Sequence, residues 1–244
     1  TGCHFGKTLI RPEFLKFLRD ITEEKGIILI FDEVVTGFRV SPGGAQDYFD
    51  VTPDMTTLAK IMAGGLPGGA VAGKKEILDY LDFAEANAAG REKVRHPGTF
   101  NANPVSAAAG ITTLTFIAGS DSCERANAFA DDLRHTMNQV LEDEGLNWSV
   151  YGTFSGYHLF TNPRGRNIQP FDFDPYSVGY KELMEGDEAL LARLRLGMLI
   201  NGVDVNGRFS GLTSATHGQA ELETTEEAFR RTLHMLKDEE DISL

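Results

Sequence analysis

Cysteine is nearly absent from this chain. Cys3 and Cys123 are the two in 244 residues, which excludes a disulfide framework and fits a reducing cytosol. Long apolar runs are missing too. No stretch approaches the roughly 20 residues of a membrane span, and we expect neither a membrane anchor nor a signal peptide. Positive charge is in short supply, with 23 Lys+Arg against 36 Asp+Glu and a net charge of -13. That disfavours nucleic acid or an anionic membrane as the main partner. A local group of lysine and backbone N–H groups can still hold a small anion. Several catalytic signatures are also missing. The glycines from Gly64 to Gly73 lack GxGxxG spacing and a GK[ST] ending, so they form neither a dinucleotide fingerprint nor a P-loop. GTFSG and GRFSG carry serine one place late for a nucleophile elbow. The six histidines are scattered, with no HExxH and no CxxC, so no metal site is expected.

What is present reads as an α/β protein. Hydrophobic content of 41% and charged content of 24% suit a globular chain long enough for one large domain or two modest ones. The first residue is Thr1 and a very apolar segment follows early, which reads as a chain that begins mid-fold. Residues 12–25 have helical spacing, with Phe14, Leu15, Leu18 and Ile21 on one face, Pro12 at the start and Gly26 as the stop. Residues 27–31 are apolar at every position, the pattern of a strand buried on both faces. Helix followed by buried strand is α/β grammar. From SPGG through Tyr48 and Phe49 we expect a loop, then a strand over 55–59 and a small strand in GGAVAG. A short helix is expected near 74–81, a mobile polar loop over 84–95 and a helix over 104–117. The character then shifts. A helix over 121–144 places Phe129, Leu133, Met137 and Val140 on one face. Strands are expected over 150–154, 157–161 and 203–205, a loop over 162–176, and helices over 188–200 and 224–237, the last opened by a Thr224/Glu227 capping box. This divides the chain into 1–118 and a smaller α+β domain, 119–244, with no internal repeat and no low-complexity tract.

Three groups of residues can carry chemistry. Asp32 and Glu33 end the apolar segment, at the strand end where open α/β sheets bind ligands. Either they satisfy nearby backbone N–H groups or an arginine such as Arg39, or one of them meets a cationic ring nitrogen. Lys60 follows the 55–59 strand and precedes IMAGGLPGG, where glycines let backbone approach a ligand. It is either a solvated surface lysine or a nucleophile and base in a low-dielectric site. Arg208, in GVDVNGRFSG, is either a solvated loop arginine or a bidentate partner for a carboxylate.

Taken together, IFDEVVTGFR, the step to TLAK, GGLPGGAVAG and GTFNANP resemble the class III pyridoxal-phosphate aminotransferases of fold type I. GGAQDYFDVTPDMTTLAKIMAGGLP resembles most the glutamate-1-semialdehyde aminomutase-like branch. The resemblance covers the C-terminal part of the family: residues 1–118 as the end of the cofactor-binding major domain and 119–244 as the small domain. It implies that Lys60 holds pyridoxal 5'-phosphate as an internal aldimine and that Asp32 pairs with the pyridine nitrogen. It further implies that Val34 or Val35 packs on the ring and that Thr99 binds the phosphate from the neighbouring subunit of a homodimer. The implied activity is cytoplasmic transamination between an amino acid or amine donor and a carbonyl acceptor. An aminomutase and a non-catalytic cofactor-binding descendant are the alternatives. Two departures stand out. The upstream half that supplies the family's phosphate loop, ring-stacking aromatic and part of the pocket is not in the sequence, so either another chain supplies it or the sequence is part of a longer one. Where the aminomutase has a pocket glutamate, this chain offers Arg208, Phe209 and Ser210, which favours a transaminase.

Overall fold

A computed structural model describes residues 9–239; Cys3 and His4 lie outside them. These residues fall into two compact units, Arg11–Cys123 and Glu124 onward, the second joined by Leu9 and Ile10.

The first unit opens with α1, Pro12–Glu24, which starts on proline and is followed by Gly26 in left-handed backbone at φ 64. Leu15 is buried and Leu18 and Ile21 are half-buried, whereas Phe14 is turned out. Strands β1, Ile30–Asp32, β2, Met55–Ala59, and β3, Gly69–Gly73, form one sheet in that order. The first pair is parallel and the second antiparallel. β2 matches the expected strand to the residue. β1 does not match the expectation of a strand buried on both faces. It is a three-residue edge strand, and Ile27, Ile28 and Ile30 are each more than 50% exposed. A fully apolar run needs cover on both sides, and the described residues bury Leu29 and leave Phe31 half-buried.

Asp54 ties the base of the sheet together. Its buried carboxylate accepts from the Leu29 N–H at 2.7 Å and from Arg19 of α1 at 3.2 Å, and it pairs with Lys74, just past β3, at 2.7 Å. The Asp54 N–H in turn donates to the Leu29 carbonyl at 2.8 Å. Helix α1 and the start of β1 therefore converge on one residue, which Lys74 reaches from beyond the last strand.

Three segments differ from expectation. Part of the SPGG-to-Phe49 loop is helix α2, Gly44–Tyr48. The short helix near 74–81 is the single turn α3, Lys75–Leu78. The 84–95 loop begins as helix α4, Phe83–Ala88, because the Asp82 carboxylate accepts from the Ala84 and Glu85 N–H groups. Helix α5, Pro104–Ala118, runs as expected, with Asn103 capping it.

The second unit packs helices on a small antiparallel sheet. Helix α6, Ser122–Asp143, is followed by β4, Ser149–Tyr151, and β5, Gly156–Phe160. Then come α7, Tyr180–Met184, α8, Glu188–Ile200, β6, Ser210–Leu212, and α9, Gln219–Asp238. Leu133, Met137 and Val140 of α6 meet Leu194 and Met198 of α8 and Phe229 and Leu233 of α9 in one core. Each such side chain contributes on the order of 2 kcal/mol by leaving water. Buried Asn138 bonds both the N–H and the carbonyl of Val150, fastening α6 to β4. The expected strand at 203–205 is absent; the third strand is β6, paired with β5. Helix α9 starts earlier than expected. Glu221 reaches back to the Gly218 N–H at 2.8 Å, while the Thr224 hydroxyl bonds the Ala220 carbonyl inside the helix.

The Asp54 knot has a pH signature. Hydrogen bonds from Lys74 and from the Leu29 N–H, followed by the Arg19 contact, hold its carboxyl well below the usual carboxylate range. A carboxyl whose folded pKa is depressed stabilises the fold fully above its unfolded pKa of about 4, and loses that contribution as pH falls toward the folded value. Asp54→Asn is expected to lose about 2 kcal/mol at neutral pH. Urea denaturation of both proteins across pH should show this gap narrowing below about pH 4; a gap that widens in acid would contradict the assignment.

Candidate active site

The parallel register pairs Ile30 with Met55, Phe31 with Thr56 and Asp32 with Thr57. The carboxyl ends of β1 and β2 thus lie side by side, and alternation along a strand puts Asp32 and Thr57 on one face. The acidic pair then divides its work. Glu33 is 1% exposed. Its carboxylate accepts from the Thr36 hydroxyl at 2.9 Å, the Ala45 N–H at 2.6 Å, the Gln46 N–H at 3.0 Å and Gln46 Nε2 at 3.2 Å. It holds the start of α2 against the end of β1. Gly44, at φ 76, allows this approach, because a Cβ there would lie 2.5 Å from Glu33 Oε2.

Asp32 faces the other way and is exposed. Its Oδ1 accepts from the Val34 N–H at 3.1 Å and from Thr57 Oγ1 at 3.2 Å. Its Oδ2 has no hydrogen bond among the described residues. Val34 and Val35 are half-buried in the turn that follows.

Lys60 comes directly after β2. It takes left-handed backbone at φ 53 and opens a 3-10 turn, Lys60–Ala63, closed by Gly64 at φ 62. For a residue with a Cβ this conformation costs about 1 kcal/mol, so the surroundings must impose it. Helix α5 does so by backbone contact. A Cβ on Gly64 would lie 2.6 Å from the Ala109 carbonyl oxygen, and one on Gly110 would lie 2.7 Å from that of Met62. Ser106 Oγ also donates to the Pro67 carbonyl at 2.7 Å. The Lys60 side chain is exposed, and its ammonium has no ion pair among the described residues.

Thr99 is exposed in the turn that leads into the same helix α5. There Asn101 Nδ2 donates to the His96 carbonyl, and Asn103 Oδ1 accepts from Val105 and Ser106. One helix therefore carries the Thr99 turn at its start and clamps the Lys60 turn along its length. In the second unit, Arg208 is exposed, with its N–H donating to Asn206 Oδ1 at 2.9 Å. Its neighbour Phe209 is fully buried in the core, so this member of the Arg208–Ser210 trio is packing rather than pocket wall.

The sequence pointed to neither Thr57 nor Gly110, whereas the backbone-capping role offered for the acidic pair falls to Glu33. The available signals were a threonine in the neighbouring strand, which proves to be the register partner of Asp32, and a glycine inside an otherwise regular helix.

Comparison with known proteins adds a family context. Residues 3–169 match the family model for class-III aminotransferases. The glutamate-1-semialdehyde 2,1-aminomutase of Methanosarcina acetivorans is 37% identical over 232 residues, 94% of this chain and 50% of that protein. An omega-transaminase structure from Sphaerobacter thermophilus superposes with a TM-score of 0.73 at 33% identity, covering 92% of this chain and 48% of its own. A transaminase with PLP bound gives 0.74 at 28% identity, covering 94% and 49%. The chain spans about half the length of these relatives.

The glycine contact between α5 and the Lys60 turn predicts that Gly110→Val displaces that turn. We expect an overpacking loss of about 1–3 kcal/mol in thermal unfolding. A variant as stable as the parent would show that α5 does not hold the Lys60 turn.

Proposed function

The chain belongs to the class-III aminotransferases, and we propose that it carries the lysine and ring-facing carboxylate of a pyridoxal-phosphate-dependent transaminase. The observation that supports this best is the pair of strand ends: Asp32 with one uncommitted oxygen, and Lys60 with an unpaired amine in imposed backbone geometry. These groups fit the cofactor. Asp32 Oδ2 is an acceptor for a protonated ring nitrogen, Lys60 Nζ is a nucleophile for an aldehyde, and Thr99 Oγ1 is a donor for phosphate. When bound, pyridoxal phosphate supplies an electron sink for a carbanion at the substrate carbon.

The chain's own residues do the rest. Lys60 Nζ would hold the cofactor, and as a free amine it would take a proton from the substrate carbon and return it. Asp32 orients the ring through its nitrogen, and Val34 or Val35 packs on the ring face. Arg208 holds a substrate carboxylate through its guanidinium fork. Thr99 serves the neighbouring subunit of a cytoplasmic homodimer. We take 1–118 as the end of the cofactor-binding domain and 119–244 as the small domain. The exposed Ile27, Ile28 and Ile30 at and before β1, and Val105, Ile111 and Phe116 of α5 at 64–68% exposure, support a further requirement. An upstream half, as another chain or segment, would cover them. The second reading, an aminomutase, is favoured by the name of the Methanosarcina relative.

The test combines this chain with an upstream half and supplies cofactor, an isotopically labelled amino donor and an unlabelled carbonyl acceptor. We expect a visible absorption band that Lys60→Ala abolishes, with label passing to the acceptor skeleton. Label moving to the adjacent carbon of the same skeleton would establish the aminomutase reading instead. Full turnover by Lys60→Ala would overturn both.

A further inference from the structure

We propose that Thr57 is the positioning residue for Asp32, fixing which carboxylate oxygen is presented to the cofactor ring. This rests on the reading of Asp32 given above and names the residue that makes it work. The carboxylate torsion of an aspartate is broad and nearly two-fold, so a strand-end Asp does not by itself present one oxygen. Here Oδ1 accepts two donors of different origin. The Val34 N–H comes from two residues along, a local bond available to many Asp residues at a turn. The Thr57 hydroxyl comes from the next strand and ties the carboxylate to the sheet. Thr57 is itself fixed. Its carbonyl accepts from the Glu33 N–H at 3.0 Å, it pairs in register with Asp32, and its branched Cβ restricts the hydroxyl to few rotamers.

The preceding residue supplies the contrast. Thr56 faces the opposite side of the sheet, is 4% exposed, and meets Gln46 Nε2 at 3.4 Å. Of the two adjacent threonines, one belongs to the packed face and the other to the Asp32 face. Thr57 Oγ1 has no bond other than that to Asp32 among the described residues. The outcome is an exposed carboxylate with one oxygen accepting two hydrogen bonds and the other accepting none among the described residues.

The experiment measures cofactor dissociation constants and melting of the cofactor-free protein for the complete assembled enzyme. It compares Thr57→Val, Thr57→Ser and Asp32→Asn. Valine keeps the branched shape and removes the donor; serine keeps the donor. We expect Thr57→Val to weaken pyridoxal phosphate binding about tenfold, equivalent to about 1.4 kcal/mol. Thr57→Ser should stay within about twofold of the parent, a difference below 1 kcal/mol, with cofactor-free melting unchanged in both. If Thr57→Val binds like the parent while Asp32→Asn is weakened, the positioning role is overturned and the assignment of Asp32 survives. If Asp32→Asn also binds like the parent, the underlying reading fails, and this proposal with it. Should Thr57→Val lower the melting temperature, Thr57→Ala against Thr57→Ser decides. The same tenfold gap supports the role, and equal affinities overturn it.

Discussion

A buried carboxylate at the base of the first sheet sets the register on which the candidate site depends. Asp54 accepts from the Leu29 N–H and donates its own N–H to the Leu29 carbonyl, so β1 and β2 are locked where they begin. Three residues along each strand, Asp32 faces Thr57. A slip of one residue would send every side chain of β1 to the opposite face, moving Asp32 to the packed side and Glu33 to the open one. The cations on Asp54 keep that lock charged and paired, and Lys74 extends it past the far strand. Site geometry at one end of the sheet is thus a consequence of electrostatics at the other.

The second constraint is the imposed turn at Lys60. Left-handed backbone at a lysine is unfavourable in isolation, and it survives because α5 meets the turn through glycine, with no side chain between the backbones. Strain of this kind gathers where a side chain must be aimed. The adjacent acidic residues show the complementary solution. Glu33 is consumed by four donors and organises the α2 turn, which leaves Asp32 available.

Much of this was legible in the sequence where a local signal and the tertiary outcome agree. The β2 strand and α8 follow from periodicity and were placed to the residue. The sequence alone could not tell which carboxylate of Asp32 and Glu33 satisfies backbone N–H groups; in the structure Glu33 does so beside Gly44 and Asp32 is exposed. Misses occurred where tertiary contact decides. Val203–Val205 has strand propensity, yet Val205 serves the core from irregular backbone. β6 instead contains Gly211, whose missing Cβ leaves room for the ring of Tyr157. The α9 start was misplaced because its reciprocal glutamate pairs with glycine, where a Ser or Thr signal was sought. The burial of β1 was overestimated because a fully apolar run reports the cover it needs, and not whether this chain contains it.

We propose that the two paired strand ends present Asp32 and Lys60 to one cofactor. A crystal structure of the assembled enzyme with pyridoxal phosphate tests it most directly. We expect the ring nitrogen within about 3 Å of Asp32 Oδ2, Oδ1 still held by Thr57 and Val34, and Lys60 Nζ bonded to the cofactor. A ring nitrogen paired with another residue, or a cofactor bonded to another lysine, would contradict it.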